Sequence, residues 1–122
     1  MTWIQHVNVV VPPGGTAAAA AFYRDVFGLR VVDKPAALDP VGAWLQAAGE
    51  QQLHISERAG AVHADAHFAL VVDDFDQTRR LMDAAGAPWT EQEDVFGGRR
   101  GFTRDPAGNR VEVLEATGSF AP

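Results

Sequence analysis

The sequence predicts an α+β fold made of two βαβββ modules, and three observations carry that expectation. Short stretches alternate apolar and polar residues with the period of a strand, two longer stretches carry helical spacing, and the order of the first half recurs in the second. "IQHVNVVV" alternates before becoming β-branched, and Pro12-Pro13-Gly14-Gly15 stops it, so it reads as a strand. Thr16 is placed to cap a helix through "AAAAAFYRDVF", with Phe22 and Val26, and Tyr23 and Phe27, as i,i+4 pairs. Gly28 ends that helix, and "LRVVDK", "GAWLQAAG" and "QQLHISE" follow as three strands, with Gly49 in the turn between the last two.

The second half repeats the order. "HFALVV" is a strand, and "DDFDQTRRLMDAAG" is a helix with acidic caps and a glycine stop. "APWTEQED", "RRGFTRD" and "RVEVLEA" are strands, the last two joined by the turn "DPAGN". One domain over 1–122 is expected, with module 1 at about 1–58, module 2 at about 65–118, and "RAGAVHADA" as the crossover. His6 answers to His67, Gly28 to Gly86 and His54 to Glu112. A single three-residue difference between strand and helix reconciles the spacings, which points to duplication.

Composition narrows the function. With no cysteine, disulfides, thiolate ligands and a cysteine nucleophile are excluded. A net charge of −6 argues against general affinity for nucleic acid or anionic membranes. No apolar run is long enough to cross a bilayer and no signal region is evident, so a cytoplasmic protein with a small-molecule partner is expected.

Strand periodicity places the polar candidates. Val7, Val9 and Val11 form the row suited to pack under the first helix, which sends His6 to the other face. Leu53 and Ile55 do the same for His54, Phe68, Leu70 and Val72 for His67, and Val111 and Val113 for Glu112. Four candidate ligands thus emerge on the non-helical faces at equivalent places in the two modules. Three imidazoles and one carboxylate suit zinc, nickel, cobalt, manganese or ferrous iron. His63 has no counterpart in the repeat and reads as a surface residue.

The segments "HVNVVVP", "FYRDVFGLRVV", "HFALVVDD", "AAGAPW" and "DPAGNRVEVLE" resemble the vicinal oxygen chelate superfamily, the glyoxalase/bleomycin resistance protein/extradiol dioxygenase family. The resemblance implies paired βαβββ modules forming a cupped mixed sheet around a central metal, usually in a homodimer. It also implies His6, His67 and Glu112 as the recurrent metal ligands, with His54 as the variable fourth. His54 is then either a further ligand, as in glyoxalases and epimerases, or an acid/base group beside the metal, as in extradiol dioxygenases. Glu112 or His54 would be the catalytic base of an isomerisation next to a carbonyl.

Departures from the family patterns guide the choice. Val10 and Arg58 stand where glutathione-dependent glyoxalases favour arginine and asparagine, and Phe102 stands where extradiol enzymes favour tyrosine. "VLEATGSFAP" offers no basic or tyrosine group of the kind fosfomycin-modifying relatives carry near the end. Trp44 and Phe102 are candidates for stacking on a planar substrate, or equally for core or dimer contacts. Arg100 and Arg104 flank Phe102 at two-residue spacing and are candidates to contact an anionic group, with surface placement expected for both, and Asp105 to Asn109 are expected in a tight turn. The expectation is a divalent-metal-dependent enzyme acting on a small oxygen-chelating substrate, with isomerase, epimerase or lyase chemistry slightly favoured over an extradiol-type dioxygenase, which stays open. A metal-free drug- or antibiotic-binding protein is the alternative.

Overall fold

The structure is a computed structural model, and it describes residues 2–35, 37–38 and 40–117. The expected end of module 2 near 118 and the tail "GSFAP" lie outside the described residues. The chain divides into two units, Met1–Val62 and His63–Pro122. The first holds β1 (His6–Val11), α1 (Thr16–Phe27), β2 (Arg30–Val32), β3 (Ala43–Gln46) and β4 (Gln52–Glu57). The second holds β5 (His67–Val72), α2 (Phe75–Ala84), β6 (Thr90–Gln92), β7 (Arg100–Arg104) and β8 (Arg110–Glu115). Each unit is therefore βαβββ, as the sequence predicts.

Each unit closes one four-stranded mixed sheet, in the orders β1-β4-β3-β2 and β5-β8-β7-β6. The opening strand runs parallel to the closing strand, and the remaining pairs are antiparallel. A parallel pair needs a crossover, and the helix with the two intervening strands supplies it. The apolar rows face the helices. In the first unit Val9, Val11, Leu45, Leu53 and Ile55 are buried with Ala19, Phe22, Tyr23 and Val26 of α1. In the second, Val72, Val111 and Val113 are buried with Phe75 and Met82 of α2. Trp89 lies against Phe75, with ring centroids 5.7 Å apart. Its indole also covers Gly101, where an added Cβ would collide with the ring.

The start of α1 corrects one expectation. Thr16 is the first helical residue and not the cap; Gly15 occupies the cap position without a side-chain bond. Glu57, at the end of β4, does the capping from across the unit. Its carboxylate accepts the Gly14 backbone N–H at 2.7 Å and the Thr16 hydroxyl at 2.6 Å. A carboxylate beside a helix N-terminus also meets the positive end of the helix dipole. At α2 the cap is local: the Asp74 side chain accepts the Gln77 N–H at 2.9 Å.

On the second unit, Arg99 joins α2 to the closing strand. It donates to Asp76 at 2.7 Å and to Glu115 at 2.7 and 3.1 Å. Its guanidinium lies 4.7 Å from the Phe75 ring centre. Hydrogen bonds from Arg99 hold the carboxyls of Asp76 and Glu115 below their ordinary values.

Two outcomes follow from these contacts. Glu57→Ala is expected to destabilise the protein by about 1–2 kcal/mol in urea denaturation, because two donors lose a charged acceptor. An unchanged midpoint excludes the capping role. For Arg99, both carboxyls are depressed in the fold, so their contribution is present above the ordinary carboxylate range and disappears as pH falls through the lowered values. The melting temperature of wild type should exceed that of Arg99→Gln at neutral pH, with the gap closing below about pH 4. A gap independent of pH contradicts the ion-pair account.

Candidate functional site

The faces opposite the helices carry the polar candidates. On β1 and β4 the register pairs His6 with Gln52 and Asn8 with His54, so the two histidines are diagonal neighbours. Their rings stack with centroids 4.0 Å apart and an angle of 18°. Trp44, directly across from His54 on β3, covers the other side of that imidazole at 4.1 Å with parallel rings. His54 is thus sandwiched and buried, whereas His6 is exposed. Burial pushes the His54 imidazole below its ordinary value, and electrostatic interaction with His6 and Lys34 acts in the same direction.

Hydrogen bonds assign the protons on the rings. Gln5 donates through Nε2 to the Glu50 carbonyl at 3.3 Å, which leaves Oε1 to accept from His6 Nδ1 at 2.7 Å. His6 therefore carries a proton on Nδ1 and turns Nε2 away from this bond. The His54 arrangement is the reverse. Gln46 donates through Nε2 to the carbonyls of Gly49 and Gln51, its Oε1 accepts from Gln52 Nε2 at 3.0 Å, and Gln52 Oε1 faces His54 Nε2 at 2.8 Å. Carbonyls only accept, so the chain of amides runs in one direction and His54 must donate from Nε2. Its basic nitrogen is Nδ1.

The second unit has the same frame with different chemistry. His67 pairs in register with Arg110 and Ala69 with Glu112, so His67 and Glu112 are diagonal neighbours as His6 and His54 are. His67 Nδ1 donates to the Asp65 carbonyl at 2.9 Å, and its Nε2 faces Glu112 Oε1 at 3.2 Å. Two acceptors at that separation repel unless a proton or a cation lies between them. The Phe102 ring meets His67 edge-on at 5.1 Å, and the Arg110 guanidinium stacks on Phe102 at 3.6 Å.

Some candidates stand where the sequence puts them and others do not. His6 and His54 come together in one unit, and His67 and Glu112 in the other. Within either unit the described residues assemble two such groups and not the three that a cluster requires. His63 stays apart and exposed, its Nδ1 accepting the Asp65 N–H at 3.1 Å. Trp44 and Phe102 lie against candidate ligands on the non-helical faces. Asp105 organises the expected turn, accepting from the backbone of Ala107 and Asn109 and from the Asn109 side chain.

Arg100 is a correction. It was expected on the surface, yet its side chain is only 17% exposed and its Nη1 stands 3.9 Å from Glu112 Oε2. Strand alternation puts it on the face of Phe102 and Glu112, and the aromatic rings of Phe96 and Phe102 cover it, each 6.0 Å away. Arg104 is partly covered as well, donating to the carbonyls of Gly108 and Ala64. It borders a pocket of about 150 Å³ with Pro88, Thr90, Phe102, Thr103 and Arg110. The supporting glutamines, Gln5, Gln46 and Gln52, went unremarked in the sequence. The signal was there: "QH" and "QQLH" put an amide beside each histidine of the first module.

Comparison with known proteins places these units in a family. A structure from Bacillus anthracis assigned to the glyoxalase family is 28% identical, with a TM-score of 0.84 over 96% of this chain and 97% of that one. Lactoylglutathione lyase from Agrobacterium tumefaciens is also 28% identical, with a TM-score of 0.71 over 95% of each chain. The fosfomycin resistance protein FosX from Listeria monocytogenes, complexed with Mn(II) and 1S,2S-dihydroxypropylphosphonic acid, is 17% identical with a TM-score of 0.80. It covers 97% of this chain and 95% of its own, and shows likeness of fold. A comparison with curated protein sequences returned no significant match. Residues 3–113 match the family model, and with the repeated βαβββ units this makes the chain a member of the Glyoxalase/Bleomycin resistance protein/Dioxygenase superfamily.

Proposed function

We propose that the protein is a divalent-metal-dependent enzyme that moves a proton on a small oxygen-chelating substrate, in an isomerase-, epimerase- or lyase-type reaction. The observation that carries this reading is the His67–Glu112 pair, in which the imidazole Nε2 and a carboxylate oxygen face each other at 3.2 Å. With His6 they would supply a two-histidine, one-carboxylate donor set, and both histidines donate Nδ1–H to an oxygen, which is how protein ligands are commonly oriented toward a metal. His6 and His67 would hold the ion through Nε2 and Glu112 through its carboxylate, the two pairs serving one ion within a chain or across a homodimer. The ion supplies Lewis acidity for the oxyanion that develops when a proton leaves the carbon beside a carbonyl.

His54 takes the remaining role. The amide chain from Gln46 through Gln52 fixes Nε2 as a donor, which supports an acid/base or hydrogen-bonding group over a fourth ligand through that atom. Its neutral ring, stacked between Trp44 and His6, keeps Nδ1 available to accept a proton. The likeness to a lyase at 28% identity supports this class of chemistry. Val10 and Arg58 speak against glutathione thiohemiacetal as the substrate.

Zinc added to ¹⁵N-histidine-labelled protein should shift the Nε2 resonances of His6 and His67 and leave the His54 Nε2–H in place. If His54 Nε2 shifts with the others, it is a ligand; if none shifts, the metal reading is lost. Calorimetry of substrate-sized ligands with and without chelator separates this enzyme from a metal-free binding protein. A further expectation concerns the support of His6. Gln5→Ala should weaken zinc binding about tenfold, as removal of an orienting partner does, without altering the melting temperature of the zinc-free protein. Equal affinity in the variant removes Gln5 from the site.

A further inference from the structure

We propose that Arg100 binds the carboxylate of the substrate, and that the substrate is a small 2-oxo or 2-hydroxy acid. This rests on the reading of the Glu112 face as the reaction site and names the class of molecule it takes. Arg100 Nε and Nη1 are buried, yet neither makes a hydrogen bond. A buried guanidinium with unpaired donors is costly, and an oxyanion that meets its planar fork removes the cost.

No neighbour hydrogen-bonds either atom. Glu112 Oε2 stands 3.9 Å from Nη1, in ion-pair range but beyond hydrogen-bond length, and its Oε1 faces His67. The other cations on this face are engaged differently: Arg104 donates to two backbone carbonyls, and Arg110 is stacked on Phe102. In a chain of net charge −6, this face carries three guanidiniums and one carboxylate. It is a local receptor for negative charge in an acidic protein.

Distance then limits the shape of the molecule. An anion on Arg100 Nη1 sits beside Glu112, and so beside the His67–Glu112 pair. A ligand that reaches both must carry its carboxylate on the carbon next to the oxygen presented to that set. That is the arrangement of a 2-oxo or 2-hydroxy acid, and Phe96 and Phe102 flank the guanidinium with apolar walls.

Pyruvate and hydroxyacetone test this, since they share three carbons and adjacent oxygens but only pyruvate has the carboxylate. In ¹H–¹⁵N spectra of the zinc-loaded full chain, pyruvate is expected to move the Arg100 Nε–H resonance and hydroxyacetone is not. Arg100→Gln should weaken pyruvate binding about tenfold or more and leave hydroxyacetone within about twofold. Arg100→Lys, which keeps the charge without the fork, should fall between and guards against a folding defect in the first variant. The proposal is overturned if saturating pyruvate leaves Arg100 unmoved. It is also overturned if Arg100→Gln weakens both compounds equally, because Arg100 then acts only on Glu112. Failure of the metal reading has a separate signature: zinc leaves His6 and His67 unchanged, while pyruvate still moves Arg100 in the zinc-free chain.

Discussion

Parallel pairing between the first and last strands of each unit is the constraint on which the site depends. In β1 and β4 the residue opposite Asn8 is His54, and in β5 and β8 the residue opposite Ala69 is Glu112. His6 and His67 each stand two positions before those residues, so both pairs occupy the same diagonal. A slip by one residue would turn every one of these side chains into the apolar layer under the helix. The valines and leucines of the opposite rows forbid that slip, since their burial would be lost with it. Core packing therefore sets the separation of the functional groups.

Within that shared frame the units have different electrostatic characters. The first is a layered arrangement in which Trp44, His54 and His6 stack and a line of glutamine amides orders the protons. The second is strongly charged, with Glu112 set between Arg100 and His67 and Arg110 stacked on the neighbouring Phe102. Proton transfer is suited to the first surroundings and anion recognition to the second. An imidazole pressed between two rings stays uncharged and ready to accept a proton, while guanidiniums hold a carboxylate without competing for that proton.

Much of this is legible in the sequence because strand faces follow a period of two. The alternation in "HVNVVV", "LHI", "HFALVV" and "VEV" was enough to send His6, His54, His67 and Glu112 to the non-helical faces. What escaped depends on contacts between distant residues. Glu57 caps α1 from a strand 41 positions away, which no local capping pattern records. The stack of Trp44 on His54 depends on the β3–β4 register, and the covering of Arg100 depends on where the loop carrying Phe96 returns. Ring protonation was hidden for a third reason: it follows from which carbonyls the glutamine amides reach, and that is a property of three dimensions.

The strand pairings described above run within each half, and the segment joining Glu57 to His67 belongs to neither sheet. Each half is thus a complete hydrogen-bonded module, and the order in which the two are encoded is immaterial to either sheet. A rearranged gene carrying the second half first would specify the same two ladders. The equivalence of register has an evolutionary side as well. After a duplication, a codon change at the closing strand of one half exchanges imidazole for carboxylate at a single corner and leaves its twin untouched. A repeated scaffold can in this way acquire an unsymmetrical reaction centre one residue at a time.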